Sequence, residues 1–115
     1  MPYTPDRGDI VWITFTPQAV HEEAGRRPAV VVSPRAYNAR VGLALLCPIT
    51  SQVKGYPFEV GVPAGLAVSG VVLADQVKSL DWQARKAEFA GALSASALSE
   101  ILAKLATLIF AVPRA

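Results

Sequence analysis

The sequence holds one cysteine, Cys47, and one histidine, His21. A single thiol cannot form an internal disulfide. It lies in an apolar run, so it reads as a core residue of a chain suited to a reducing compartment. One cysteine and one histidine also cannot build the usual zinc sites. No glycine-rich loop ends in Lys-Ser/Thr, and no Gly-x-Ser-x-Gly elbow is present, which argues against nucleotidases and serine hydrolases. Charge is scarce as well. Charged residues make up 17% of the chain, against roughly 25% in an average soluble domain. Lysine and arginine number 11 and aspartate and glutamate 9, for a net charge of +2. That balance neither demands nor excludes a nucleic acid, and any basic surface must come from clustering. Long hydrophobic runs are missing too. Pro48, Lys104 and Pro113 interrupt the longest ones, so no membrane span is expected. The stretch Met1–Asp9 lacks the apolar centre of a signal peptide, which leads to the expectation of a cytoplasmic protein.

What is there fits one domain covering residues 1–115, with no internal repeat, low-complexity tract or linker. Such a domain can bury a real core without staples. Apolar residues reach 52%. A small domain with few charges and much apolar surface often hides part of it against a second copy, so a homodimer is expected; a well-filled monomer is the other reading.

Short β-rich segments come first and one helix closes the chain. Gly8 to Phe15 (GDIVWITF) is β-branched and aromatic and reads as a strand. Thr16 to Gly25 is a loop, and Arg27 to Val32 a second strand. Ser33-Pro34 resembles an N-cap followed by proline at the first helical position, opening a short turn of helix towards Asn38. Gly42 to Ile49 is a third strand and Thr50 to Pro57 a polar loop. Phe58, Val60 and Val62 alternate with Glu59 and Gly61, as in a half-buried strand. Gly70 to Leu80 reads as one further strand and Lys86 to Gly91 as the last. Ser94 or Ser96 can cap a C-terminal helix in which Leu98, Ile101, Leu102, Leu105, Leu108 and Ile109 follow helical spacing. Ser96, Glu100, Lys104 and Thr107 form one narrow polar stripe. A helix so apolar is expected to be covered by its own sheet, a partner, or both. Many short strands with one terminal helix suggest an α+β arrangement, a small twisted barrel carrying a helix.

Four strings stand out together: GDIVWITF, then EEAGRRPAVVVSP, then CPITSQVKGYPFEV, then GVVLADQVKSLDW. In this order and spacing the chain resembles the MazF/PemK toxins of bacterial toxin–antitoxin systems, from about Pro5 to the final helix. The resemblance implies a small SH3-like β-barrel of the CcdB/MazF type with a C-terminal α-helix. It also implies a homodimer, ribonuclease activity on single-stranded RNA without a cofactor, and a cognate antitoxin with a flexible acidic tail.

RNA cleavage by its own 2′-hydroxyl needs a base for the hydroxyl proton, donors for the pentacoordinate phosphate, and an acid for the leaving oxygen. Arg27 carries a planar fork of donors that matches phosphate oxygens, and Pro28 biases it to an extended backbone. Physically it can equally be an ordinary surface arginine; the resemblance matches the GRRP arginine before proline to the family's catalytic one. Thr50 ends a strand, where a hydroxyl can serve a phosphate or simply form a turn; the family's catalytic threonine falls here, with Ser51 as second choice. Glu22, Glu23 and His21 are candidate bases in the first loop. The family motif favours Glu22, while the acidic pair can also be plain solvation.

Lys54, Gln76 and Lys78 are expected to bind substrate. In one strand from 70 to 80, Gln76 and Lys78 share a face, offering an amide to base edges and an ammonium to phosphate. Asp75 then points the other way, as a buried acid satisfied by a hydrogen bond. Of the aromatics that can stack on bases, Tyr56 in the loop beside Lys54 is favoured over Trp82 and over Phe58, which reads as core. The expected activity is a metal-independent, sequence-specific endoribonuclease leaving a 2′,3′-cyclic phosphate and a 5′-hydroxyl. The rivals are a non-nuclease toxin of the related CcdB type that binds DNA gyrase, and a non-catalytic SH3-like binding module. Fold alone cannot separate the three.

Overall fold

The structure, a computed structural model, describes residues 2–15 and 25–111. Glu22, Glu23 and His21 lie outside the described residues. The chain order is β1 (Asp9–Thr14), β2 (Arg26–Val31), α1 (Arg35–Val41), β3 (Ala44–Thr50), β4 (Glu59–Gly61), β5 (Val71–Leu73), β6 (Lys78–Leu80), β7 (Glu88–Ala92) and α2 (Ala95–Ile109). All strand pairs are antiparallel, in the order β4-β5-β3-β2-β1-β7 with β6 also on β3. The terminal strands β4 and β7 do not pair, so the sheet is open and curled, an SH3-like barrel with a helix laid on it.

The central strands bury both faces, and this explains why their sequences run almost continuously apolar instead of alternating with polar residues. Ile10, Val30, Cys47, Ile49 and Val72 face α2, where Ile101 and Leu105 meet them. Val11, Ile13, Ala29, Val31 and Leu46 face the other way, onto Leu80 and Trp82. α2 starts where Ser94 accepts the Ala97 N–H on its hydroxyl. Its inner face buries Ala97, Ile101 and Leu105 against the sheet, whereas Leu108, Ile109 and Phe110 stay exposed. The sheet therefore covers one side of the helix and leaves its apolar end bare.

Two local expectations need correction. Proline does not open α1 from inside. Pro34 occupies the cap position and Arg35 is the first helical residue. Ser33 turns inward instead, where its hydroxyl donates to Asn38 Oδ1 at 2.6 Å and accepts the Leu45 N–H. Fully buried Asn38 is satisfied throughout: Nδ2 donates to the carbonyls of Pro5 and Ser33, and its own carbonyl accepts from Trp82 Nε1. That bond and an exposure of only 9% make Trp82 a core residue with no ring face left for a base.

The second correction concerns the strand expected from Gly70 to Leu80, which is broken. Ile49 pairs with Val72 and Leu46 with Lys78, so five residues, 73–77, stand opposite only Cys47 and Pro48. Pro48 offers no N–H to either neighbour, and the ladder gives way there. The chain turns instead, with Gln76 N–H donating to the Leu73 carbonyl. Gln76 and Lys78 therefore do not share a strand face.

Candidate functional site

The β2–β3 register decides what comes together. Ala29 faces Pro48, and continuing by two residues sets Arg27 beside Thr50. Both side chains line one open cavity of about 560 Å³, with Trp12, Ser51, Gln52 and Ser69 on its walls. Thr50 also lines a neighbouring cavity of about 400 Å³, together with Gln52, Lys54, Tyr56 and Gln76. The threonine thus stands on the divide between two concavities. Of the seven residues expected from the sequence, Arg27, Thr50, Lys54, Tyr56 and Gln76 gather here; Glu22 lies outside the described residues. Lys78 lines neither cavity; its ammonium sits 5.8 Å from the centre of the Phe15 ring.

Arg26 also borders this cavity, but the two adjacent arginines use their head groups differently. Arg26 spends its guanidinium on the fold: it donates to the carbonyls of Trp12 and Lys86 and to Thr14 Oγ1, and it pairs with Glu88 at 3.4 Å. Arg27 is exposed, and no described residue engages its head group. Successive strand residues point to opposite sides, so one arginine can clamp β1 while the next faces solvent. Thr50 Oγ1 accepts the Gln52 N–H at 3.1 Å. One of its two lone pairs is engaged, and its O–H proton remains available to donate.

Gly70 packs directly against the Thr50 backbone. Its φ of +123° lies where side chains are strained, and a Cβ there would fall 2.2 Å from the Thr50 carbonyl oxygen. Only a glycine lets β5 approach the end of β3 this closely. From the sequence it read simply as the start of a strand, and nothing local marked it. Trp12, 38% exposed on the wall beside Arg27, carries no such signal in the sequence either, because it sits in a run of apolar strand residues, Ile10 to Ile13.

Electrostatics around the second cavity centre on Asp75. Tyr56 donates its hydroxyl to Asp75 Oδ2 at 2.6 Å, which holds the phenol above its ordinary value. Asp75 Oδ1 is buried with no hydrogen-bond partner among the described residues. The expected satisfied acid is thus satisfied on one oxygen only. Phe58 is half-buried and its ring lies 5.9 Å from that of Tyr56, so it supports the loop from below. Among the described residues no group of three His, Cys, Asp or Glu side chains could hold a metal ion, and no helix is long and apolar enough to cross a membrane.

A curled antiparallel sheet with one packed helix, presenting an unengaged arginine and a hydroxyl side by side on an open cleft, defines a small SH3-like barrel protein. Residues 6–109 match the family of PemK-like, MazF-like toxins of type II toxin–antitoxin systems, and the chain belongs to that family. It is 50% identical over 107 residues to the endoribonuclease toxin MazF of Escherichia coli K12, covering 93% of this chain and 96% of that protein. It is 36% identical to the endoribonuclease toxin ChpB of the same strain, over 90% of this chain and 93% of the other. Among solved structures, MazF of Deinococcus radiodurans superposes with a TM-score of 0.85 at 56% identity, over 94% of this chain and 98% of that one. A MazE–MazF structure from the same organism gives 0.86 at 55%, over 93% and 97%.

Proposed function

We propose that this chain is an endoribonuclease toxin that cuts single-stranded RNA and is neutralised by a cognate antitoxin. The observation that carries the reading is the pairing of Arg27 and Thr50 on one open cleft, at the joined ends of β2 and β3. The reaction attacks the scissile phosphate with the neighbouring 2′-hydroxyl. Arg27 holds the phosphate oxygens through its fork of donors as charge builds in the pentacoordinate state. Thr50, its oxygen already accepting from the Gln52 N–H, donates a hydrogen bond to a second phosphate oxygen. Glu22 takes the 2′-hydroxyl proton in this scheme. As the O2′–P bond forms the P–O5′ bond breaks, and the leaving 5′-oxygen takes its proton from solvent water in the open cleft, giving a 2′,3′-cyclic phosphate and a 5′-hydroxyl with no step that calls on a metal ion.

The second cavity takes the flanking nucleotides. Tyr56 offers a ring face to a base, Gln76 an amide to a base edge, and Lys54 a charge to the backbone. Lys78 is an outer phosphate contact on this view. The antitoxin inhibits by laying an acidic tail along the same groove, so Arg27, Lys54 and Lys78 serve both partners. A second copy of the chain covers the bare apolar end of α2, and the dimer works in the cytoplasm. Endoribonuclease names among the relatives favour this reading over a gyrase-binding toxin or a bare binding module.

The test is incubation of purified protein with a long unstructured RNA in EDTA, followed by sequencing of the fragment ends. Discrete cuts at one short word, with cyclic phosphate or its opened form at the 3′ side, are expected. Intact RNA, or a strict need for added magnesium, would overturn the mechanism.

A further inference from the structure

The loop from Ser51 to Phe58 contains no helix or strand, yet it carries Lys54 and Tyr56 over the second cavity. Side chains from three different places hold it. Glu59, the first residue of β4, accepts the Lys54 N–H on one carboxylate oxygen and the Gly55 N–H on the other, each at 3.0 Å. Gly55 has a φ of +76°, which lets the two successive amides converge on one acceptor. Asp75 takes the Tyr56 hydroxyl, and Lys104 of α2 donates to the Pro57 carbonyl. An acidic residue on a cavity wall invites reading as a catalytic base. Here both Glu59 oxygens already serve the backbone, so its chemistry is architectural.

We infer that Glu59 is a positioning residue for RNA recognition: it orders the 51–58 loop in advance, so that RNA meets Lys54 and Tyr56 already in place. Lys104 ties the same loop to α2. The inference rests on the nuclease reading and extends it to residues that do not touch the phosphate being cut. An open loop must be ordered at the moment of binding, and that entropy is subtracted from affinity. A pre-tied loop avoids the loss. Hydrogen bonds to an ionised acceptor are the strong kind, so a neutral amide at 59 removes most of the tether and turns one N–H of its own against a loop N–H.

The experiment uses the full chain and an RNA oligonucleotide containing its mapped cleavage word. Glu59→Gln is expected to raise KM about tenfold and leave kcat within about twofold, with Lys104→Met acting in the same direction more weakly. Discrimination against oligonucleotides with one flanking base changed should fall in parallel. Without RNA, amide exchange at Lys54 and Gly55 should quicken about tenfold or more in Glu59→Gln. Ile101→Val, a core change remote from the loop, lowers stability and should leave KM and discrimination unmoved. Unchanged amide exchange would show that Glu59 does not hold the loop. Faster exchange with an unchanged KM, or a fall in kcat alone, would remove the role in recognition. Wild-type protein that leaves RNA intact would instead sink the nuclease reading and the recognition role with it, while the exchange measurement still reports on the tether.

Discussion

Replacing Gly70 by alanine should damage the site by pushing the Thr50 backbone, while leaving every side chain proposed to meet RNA chemically unchanged. A Cβ at position 70 would lie 2.2 Å from the Thr50 carbonyl oxygen and 2.9 Å from its carbon, both rigid backbone atoms. Cβ atoms essentially never approach such atoms within 3.0 Å, so the end of β3 and the start of β5 must part by about 0.8 Å or more. The left-handed φ adds strain of about 1–3 kcal/mol. Misplacing a reacting group by about 1 Å can cost on the order of a hundredfold in rate. Gly70→Ala should therefore lower kcat/KM by roughly ten- to a hundredfold on a fluorogenic RNA, with a urea midpoint shifted by a stability loss of about 1–3 kcal/mol. Gly42→Ala is the matched control. Gly42 caps α1 at a φ of +82°, and a Cβ there meets nothing within 4 Å. It should lose stability of the same order and keep its activity. Equal activity in the two variants, whether both fall or both stay at the wild-type rate, would refute the claim that Gly70 acts through Thr50.

Arg27→Lys should lose most of the cleavage rate although the charge survives, and Arg27→Ala about a hundredfold or more, both with unchanged melting temperature because the head group is exposed; full activity in Arg27→Ala would remove it from the mechanism. Burial, with the Asp75 charge adding to it, pushes the Cys47 thiol up to about 12 from an ordinary 9.0. The folded state then keeps its proton while the unfolded chain loses it, so stability is full below about pH 9 and falls as pH rises towards 12, by at most about 1.4 kcal/mol per pH unit. Cys47→Ser should flatten that part of a urea-midpoint-against-pH curve and leave the fall contributed by Tyr3, whose burial and bond to Asp9 raise it as well; identical curves would disprove the linkage. Light scattering at micromolar concentration should give twice the 12.2 kDa chain mass, and a charged residue at Leu108 should shift it towards the monomer; a stable wild-type monomer would remove the expected dimer.

Much of the fold was legible because it depends on patterns the chain carries locally. The strands at β1 and β2 announced themselves by β-branched residues and β3 by an apolar run, and α2 by helical spacing behind a serine that does cap it. The strand through 70–80 was misread for an identifiable reason. Its residues alternate acceptably throughout, but the partner strand carries Pro48, and a ladder break imposed from across the sheet leaves no trace in the broken strand. Trp82 was ambiguous for a similar reason: an indole stacks or buries according to what stands opposite, and here Asn38 does.

The sequence by itself determined which residue types are present to do chemistry. It put an arginine before a proline at the head of one strand and a threonine at the end of another, and it withheld the cysteines and histidines of a zinc site. Those are properties of composition and nearest neighbours, and they survive without coordinates. Only the tertiary structure decided which of these residues meet. Register sets Arg27 beside Thr50, a choice between two adjacent arginines that follows from which face each takes across β1. The broken ladder sends Gln76 to the cleft and Lys78 to Phe15, two residues apart in sequence and separated in space. Gly70 and Glu59 matter through contacts with backbone atoms 20 and 4–5 residues away, at Thr50 and at Lys54 and Gly55. The Gly70 contact exists only once β5 has paired with β3, since pairing across strands is a relation between segments and no single segment encodes it.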